Sequence, residues 1–180
     1  IADTEDARRD FAELQGAIRS ADAAFGGLID ALEGRGLRED TLIVFATDHG
    51  LPVPRAKLSG YNPGLEIALC LCWPERIRPG ERHRTVSNID LLPTLYDLCG
   101  WERDSRFQGL SFADACGDYS GDTPREDVYA SCYLGDLRMV LTPTHKLIRN
   151  LTKLREYRCP VDLEDAGHYV LQRETGCKPV

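Results

Sequence analysis

Asp48 and His49 stand side by side, and Gly50 follows them. A carboxylate offers hard oxygen and an imidazole offers nitrogen, so the pair has the donor types to ligate a divalent cation. Lys57 comes shortly after, beyond a loop. A lysine beside a strand end suits a sulfate or phosphate oxygen and can stabilise charge developing there. Each reading has a plain rival. Asp and Gly after a strand are ordinary turn residues, and Lys57, like Arg55, reads taken alone more readily as a solvated cation. Two ligands also fall short of a calcium site, which takes about six to eight. No other carboxylate cluster of suitable spacing occurs in the chain, so either the metal reading is wrong or the other ligands lie elsewhere.

A strand must position these groups. Residues 41–47 (TLIVFAT) are almost unbroken apolar and β-branched, a composition that suits a strand buried on both faces of a parallel sheet covered by helices. In open α/β sheets, ligands bind just outside the carboxyl ends of the strands, and Asp48-His49-Gly50 falls at such an end. Upstream, Phe11, Leu14, Ile18, Ala21, Phe25, Leu28 and Leu32 recur at steps of three and four. That spacing predicts one helical face, ended by Gly34-Arg35-Gly36, with residues 1–10 as a polar lead-in. Gly26 and Gly27 each cost the helix roughly 1 kcal/mol relative to Ala and predict close packing against a neighbour. Downstream of Gly50, prolines 52 and 54 favour an extended loop able to return Lys57 toward Asp48 and His49. Tyr61-Asn62-Pro63-Gly64 is a turn, and 65–73 (LEIALCLCW) a second buried strand.

Asp90 reads as the N-cap of a further helix, with Leu91, Leu92, Leu95 and Leu98 as its apolar face, Pro93 in its first turn and Gly100 closing it. Residues 101–123 read as loop, with a soft boundary near Gly121–Pro124. Beyond it, 128–133, 137–141 and 146–150 predict antiparallel strands, with Thr142-Pro143-Thr144 as a turn. The tail, with Cys159-Pro160 and Glu164-Asp165, reads as loop and short strand. His83, His145 and His168 read as surface or structural residues.

The composition narrows the class. At 180 residues, 42% hydrophobic and 28% charged, the chain has enough material for one or two small domains with a real core. A net charge of -7 argues against a basic nucleic-acid-binding face. No apolar run reaches the roughly 18 residues of a membrane span. The seven cysteines have no zinc-site spacing, and an odd number leaves at least one unpaired within the chain. The compartment stays open.

The order of several pieces carries a resemblance: TLIVFATDHG at 41–50, then Lys57 with Tyr61-Asn62-Pro63-Gly64, then IALCLCWPERIRPG, SNIDLLPTLYDLCG and HKLIRN. Together they resemble the carboxyl-terminal part of the sulfatase family, within the alkaline phosphatase superfamily, and most of all its heparan N-sulfatase (sulfamidase)-like branch. The tail after Lys153 departs from the family's usual ending. The resemblance implies an α/β fold: part of an alkaline phosphatase-like, mostly parallel sheet with flanking helices, plus a small C-terminal antiparallel α+β subdomain. Residues 1–122 would be the C-terminal part of the α/β domain and 123–180 the subdomain.

It also implies hydrolysis of sulfate esters or sulfamates. In the family a cysteine or serine becomes formylglycine, whose hydrate attacks sulfur, and a divalent cation, usually Ca2+, acts as Lewis acid and template. By this likeness Asp48 and His49 are metal ligands, where many relatives have Asn in place of His49. Lys57 binds a sulfate oxygen and is catalytic, and His145 approaches the substrate. The implied partners are a sulfated small molecule or glycan and the N-terminal half of the same enzyme.

Cys72-Trp73-Pro74-Glu75-Arg76 fits the formylglycine signature Cys-x-Pro-x-Arg but sits in the wrong place. The family's nucleophile lies far upstream at a helix amino terminus, an electropositive setting, whereas Cys72 ends an apolar strand. The nucleophile therefore belongs to the missing N-terminal part, and the isolated chain is expected to be inactive. Two alternatives remain: a phosphoester or phosphonate hydrolase of the same superfamily, and a non-catalytic stand-alone binding domain.

Overall fold

The computed structural model describes residues 3–53, 56–82, 85–117, 125–132 and 137–151. Arg55, His83, His168, the 121–124 boundary and the tail after 151 lie outside the described residues. Those described form two compact units, the first from 3–41 and 45–69, the second from 42–44 and 70–151.

The first unit begins with helix α1, Glu5–Gly34. The Thr4 hydroxyl accepts the Ala7 amide at 3.2 Å. Glu5 and Asp6 occupy the first turn, where carboxylates oppose the positive end of the helix dipole. The expected polar lead-in is therefore helix: a capped, acidic amino terminus needs no apolar stripe to form. Phe25 meets Phe45 edge-on, with ring centroids 5.6 Å apart. Ile18 and Leu28, on the same predicted face, stay 55% and 54% exposed. A Cβ added at Gly26 or Gly27 would meet nothing within 4 Å. The close packing expected at these glycines is absent among the described residues.

Strand β1, Ile43–Ala46, pairs with β2, Leu69–Cys72, in a two-stranded sheet. Ile43 is buried, but Phe45 is 41% exposed, and Cys70 and Cys72 are exposed too. The expected mostly parallel sheet of strands buried on both faces is not built by the described residues, which give this pair and one antiparallel sheet. A strand becomes buried on both faces only with layers above and below it, and among the described residues β1 pairs with one strand and leaves Phe45 41% exposed. A one-turn helix α2, Asn62–Leu65, precedes β2.

The second unit is organised by helix α3, Asn88–Cys99. Ser87, not Asp90, is its N-cap; Asp90 is the acidic partner of a capping box, and its carboxylate accepts the Ser87 amide at 2.8 Å. That carboxylate is buried and has further donors. It accepts the Leu110 amide at 2.7 Å and both arms of the Arg125 fork at 2.6 and 2.8 Å. One turn on, the buried Thr94 hydroxyl donates to the Asp90 carbonyl at 2.6 Å and accepts the Phe112 amide at 3.0 Å. Pro93 lies inside the helix, beyond the first turn where it was expected, and has no N–H for the Ile89 carbonyl. Gly109 covers that carbonyl so closely that a Cβ there would sit 1.9 Å from it. Gly100, at φ 69, closes the helix as expected.

The expected strands appear as β3 (Val128–Cys132), β4 (Leu137–Leu141) and β5 (Lys146–Asn150), antiparallel in the order β3-β4-β5. Ala130, Met139 and Ile148 lie opposite one another, and Met139 is buried.

Burial, the largest single influence on Asp90, would raise its pKa. The hydrogen bonds from Arg125, Leu110 and Ser87 and the Arg125 charge together outweigh it and hold the carboxyl below its usual range. A depressed carboxyl pKa stabilises the fold above the unfolded-state value of about 4, and this is lost as pH falls through the folded-state value. Arg125→Met strands the charge in the interior, so urea unfolding at neutral pH should show a loss of about 3–5 kcal/mol. The deficit against wild type should shrink as pH falls toward about 4, because the stranded carboxyl, raised by burial, protonates above the unfolded-state value. Gly26→Ala and Gly27→Ala should each raise the stability of the chain by about 0.5–1 kcal/mol in the same assay.

Candidate functional site

The chain leaves β1 at Thr47 and is anchored there twice against Ala68. The Thr47 amide donates to the Ala68 carbonyl at 3.0 Å, and the Thr47 hydroxyl accepts the Ala68 amide at 3.0 Å. Asp48 and His49 follow directly. The His49 amide donates to Asp48 Oδ1 at 2.9 Å, a local turn that frees the second oxygen to face the ring. His49 Nδ1 lies 2.8 Å from the Gly50 carbonyl. A carbonyl can only accept, so Nδ1 carries the proton and Nε2 presents its lone pair when the ring is neutral. Nε2 stands 3.5 Å from Asp48 Oδ2. Two lone-pair donors that close face one another favourably only with a proton or a cation between them. The Asp48 side chain is 87% exposed, so the pair opens to solvent.

Close contacts between backbone segments hold this corner. A Cβ at Gly50 would lie 1.7 Å from the Pro63 carbonyl oxygen, so only glycine admits the approach. The Gly50 amide donates to the Gly64 carbonyl at 3.3 Å and the Leu51 amide to the Pro63 carbonyl at 3.2 Å. Gly64 repeats the device: its Cβ would lie 1.9 Å from the Ala56 carbonyl oxygen. Lys57 is tied into the same knot, its amide donating to the Leu51 carbonyl at 3.1 Å. The loop therefore does return, bringing the backbone of Lys57 beside Leu51, one residue past Gly50. The next residue, Leu58, has φ 59, a left-handed conformation uncommon for leucine.

His145 belongs to the other unit. It closes the turn between β4 and β5: its amide donates to the Thr142 hydroxyl at 2.9 Å, its carbonyl accepts the Thr142 amide at 2.8 Å, and its Nδ1 lies 2.9 Å from the Thr144 hydroxyl. The side chain is exposed. Cys72 is the last residue of β2, and a turn follows it, with the Ile77 amide donating to the Trp73 carbonyl at 2.9 Å. No helix starts there, so the setting that favours a nucleophile at a helix amino terminus is absent. Among the described residues no group of three or more His, Cys, Asp or Glu side chains converges as a metal site, and no helix is long and apolar enough to cross a membrane. Sequence reasoning did not pick out Ser59 or Gly64 as supports of Lys57. Their signal was the run of small residues Ala56, Ser59, Gly60 and Gly64, whereas the backbone of Leu58 left no signal at all.

The strand end thus carries Asp48 and His49, a glycine corner follows at Gly50, and the chain returns at Lys57. Residues 2–101 match the model of the Sulfatase family, and the chain belongs to that family, within the alkaline phosphatase superfamily. It is 29% identical over 171 residues to the ulvan-active sulfatase of Formosa agariphila, an alignment covering 92% of this chain and 28% of that protein. It is 34% identical over 108 residues to human arylsulfatase A, covering 50% of this chain and 21% of the relative. Human N-sulphoglucosamine sulphohydrolase is 32% identical over 99 residues, covering 54% and 20%. The chain thus spans less than a third of the length of these relatives.

Two solved structures share the fold. BT4656 in complex with its substrate D-glucosamine-2-N,6-O-disulfate matches with a TM-score of 0.61 at 22% identity, covering 88% of this chain and 37% of that one. The phosphonate monoester hydrolase SpPMH from Silicibacter pomeroyi matches with a TM-score of 0.56 at 20% identity, covering 86% and 38%.

Gly50→Ala forces a methyl into backbone that cannot swing aside, and should cost about 1–3 kcal/mol or more in urea unfolding. Gly16→Ala, in α1 with nothing within 4 Å of an added Cβ, should not destabilise the chain.

Proposed function

We propose that this chain is the C-terminal portion of a formylglycine- and calcium-dependent sulfuric ester or sulfamate hydrolase, and that it lacks the nucleophile. The observation that carries the reading is the facing of Asp48 Oδ2 and His49 Nε2 at 3.5 Å, with the other ring nitrogen tied to the Gly50 carbonyl. That donor set fits one edge of a cation's coordination shell, and a ligating histidine characteristically has its second nitrogen held by such a partner. A bound Ca2+ would supply Lewis-acid charge and a template for the sulfate oxygens. Asp48 and His49 hold that ion, and the remaining ligands come from the N-terminal half of the enzyme.

Lys57 contributes a fixed positive charge. Its ammonium donates to a sulfate oxygen and stabilises the negative charge that grows there in the transition state. Its backbone tie to Leu51 fixes the root of that side chain next to the metal-binding corner. A sulfated glycan is the substrate class we favour, supported by the ulvan-active sulfatase among the relatives and the disulfated glucosamine held by a protein of the same fold. His145, exposed on the β4–β5 turn, is a candidate for contact with that substrate. A phosphoester or phosphonate hydrolase is the second reading, supported by the likeness to a phosphonate monoester hydrolase.

The isolated chain should show no turnover of an aryl sulfate. Assembled with the nucleophile-bearing half it should turn over. A chelator should abolish that activity and added Ca2+ restore it. Lys57→Ala should lower kcat by about 10²–10³-fold, and Asp48→Ala should weaken Ca2+ in a calorimetric titration. Turnover by the isolated chain that vanished in Lys57→Ala would contradict the proposal, and a preference for phosphonate esters over sulfate esters would favour the second reading.

A further inference from the structure

The Lys57 turn carries more organisation than an anchored loop requires. Leu58 is left-handed at φ 59, a conformation that costs an ordinary residue on the order of 1–2 kcal/mol and persists only where its surroundings over-determine it. Ser59 braces this turn. This buried serine aims two donors at one acceptor: its amide and its hydroxyl donate to the Ala56 carbonyl at 3.0 and 2.7 Å. The same hydroxyl accepts the Tyr61 amide at 3.3 Å. One oxygen thus closes the 56–59 turn and joins it to the start of α2. Gly64, in α2, packs on the Ala56 carbonyl from the other side, and its neighbour Pro63 is the group on which Gly50 rests.

Asp48-His49-Gly50 and Lys57 are therefore linked through a continuous run of backbone contacts with the Ser59 hydroxyl at its centre. We propose that Ser59 is a positioning residue for the reaction: its hydroxyl holds the strained turn that sets the place of Lys57 relative to Asp48 and His49. The proposal rests on the catalytic reading of Lys57. In this role Ser59 acts on the reaction through the lysine. Displacing a catalytic group by about 1 Å costs up to about a hundredfold in rate, so the loss of one buried hydroxyl should be visible in kcat.

The test is a double-mutant cycle in the enzyme assembled from this chain and its nucleophile-bearing half, with an activated aryl sulfate as substrate. Ser59→Ala should lower kcat by about 10–100-fold while KM changes less than about threefold. Ser59→Thr keeps the hydroxyl and should stay within about threefold of wild type. In the Lys57→Ala background, Ser59→Ala should add less than about twofold, because the residue it acts through is gone. If Ser59→Ala does not fold, Ser59→Cys, which keeps the volume but donates weakly, takes its place in the cycle. A full additive loss in the Lys57→Ala background would overturn the proposal and make Ser59 a structural residue only, as would an unchanged kcat in Ser59→Ala. If Lys57→Ala itself left turnover intact, the catalytic reading of Lys57 would fall, and the role of Ser59 with it. That result is distinct from a Ser59 failure, in which Lys57→Ala still cripples the enzyme.

Discussion

The resting of Gly50 on the Pro63 carbonyl is the contact on which the candidate site depends. Backbone touches backbone there, with no side chain to yield, and any residue larger than glycine would separate the two segments. On one side of the contact lie Asp48 and His49. On the other lie Gly64, the Ala56–Ser59 turn and Lys57. Side chains in such a site can be placed within the tolerance that catalysis demands only if their backbones are fixed first. Here the fixing is done by amide–carbonyl pairs at Gly50, Leu51 and Lys57.

The other unit solves a comparable problem with charge. Asp90 and Arg125 form a forked ion pair inside the fold, and the aspartate also collects two backbone amides. A lone buried carboxylate would be strongly unfavourable, but one with every lone pair engaged can tie distant segments together. This one ties the start of α3, the loop at Leu110 and the lead into β3. Thr94 extends the same logic by one turn of the helix. Polar groups here take the organising role that an apolar cluster fills in many small domains.

Local chemistry in the chain reveals local structure. The alternation in 128–150 specified three antiparallel strands, because side-chain period and turn residues act within a few positions. Gly100 announced the end of α3 for the same reason. The place of Asp48-His49-Gly50 just past a strand was readable because the apolar run before it stops there. What could not be read were the contacts between segments. The apolar run at 41–47 spoke for a strand enclosed on both faces, yet among the described residues β1 has one neighbouring strand and Phe45 is 41% exposed. Composition records that a segment is suited to burial and carries no information on what covers it. Gly26 and Gly27 mislead in the same way, for a missing side chain permits a close neighbour without supplying one. Asp90 lies three positions past the N-cap Ser87 and was mistaken for it because N-cap and capping-box positions both accept a short acidic side chain.

The account stands on the pairing of Asp48 and His49 around one cation. The most direct measurement is an anomalous difference map from crystals of the assembled enzyme soaked with Mn2+ in place of Ca2+. The account predicts a peak within about 2.0–2.6 Å of both an Asp48 carboxylate oxygen and His49 Nε2, with Nδ1 still on the Gly50 carbonyl. A peak that touches neither side chain, or one bound through Nδ1 with the Gly50 contact broken, would contradict it.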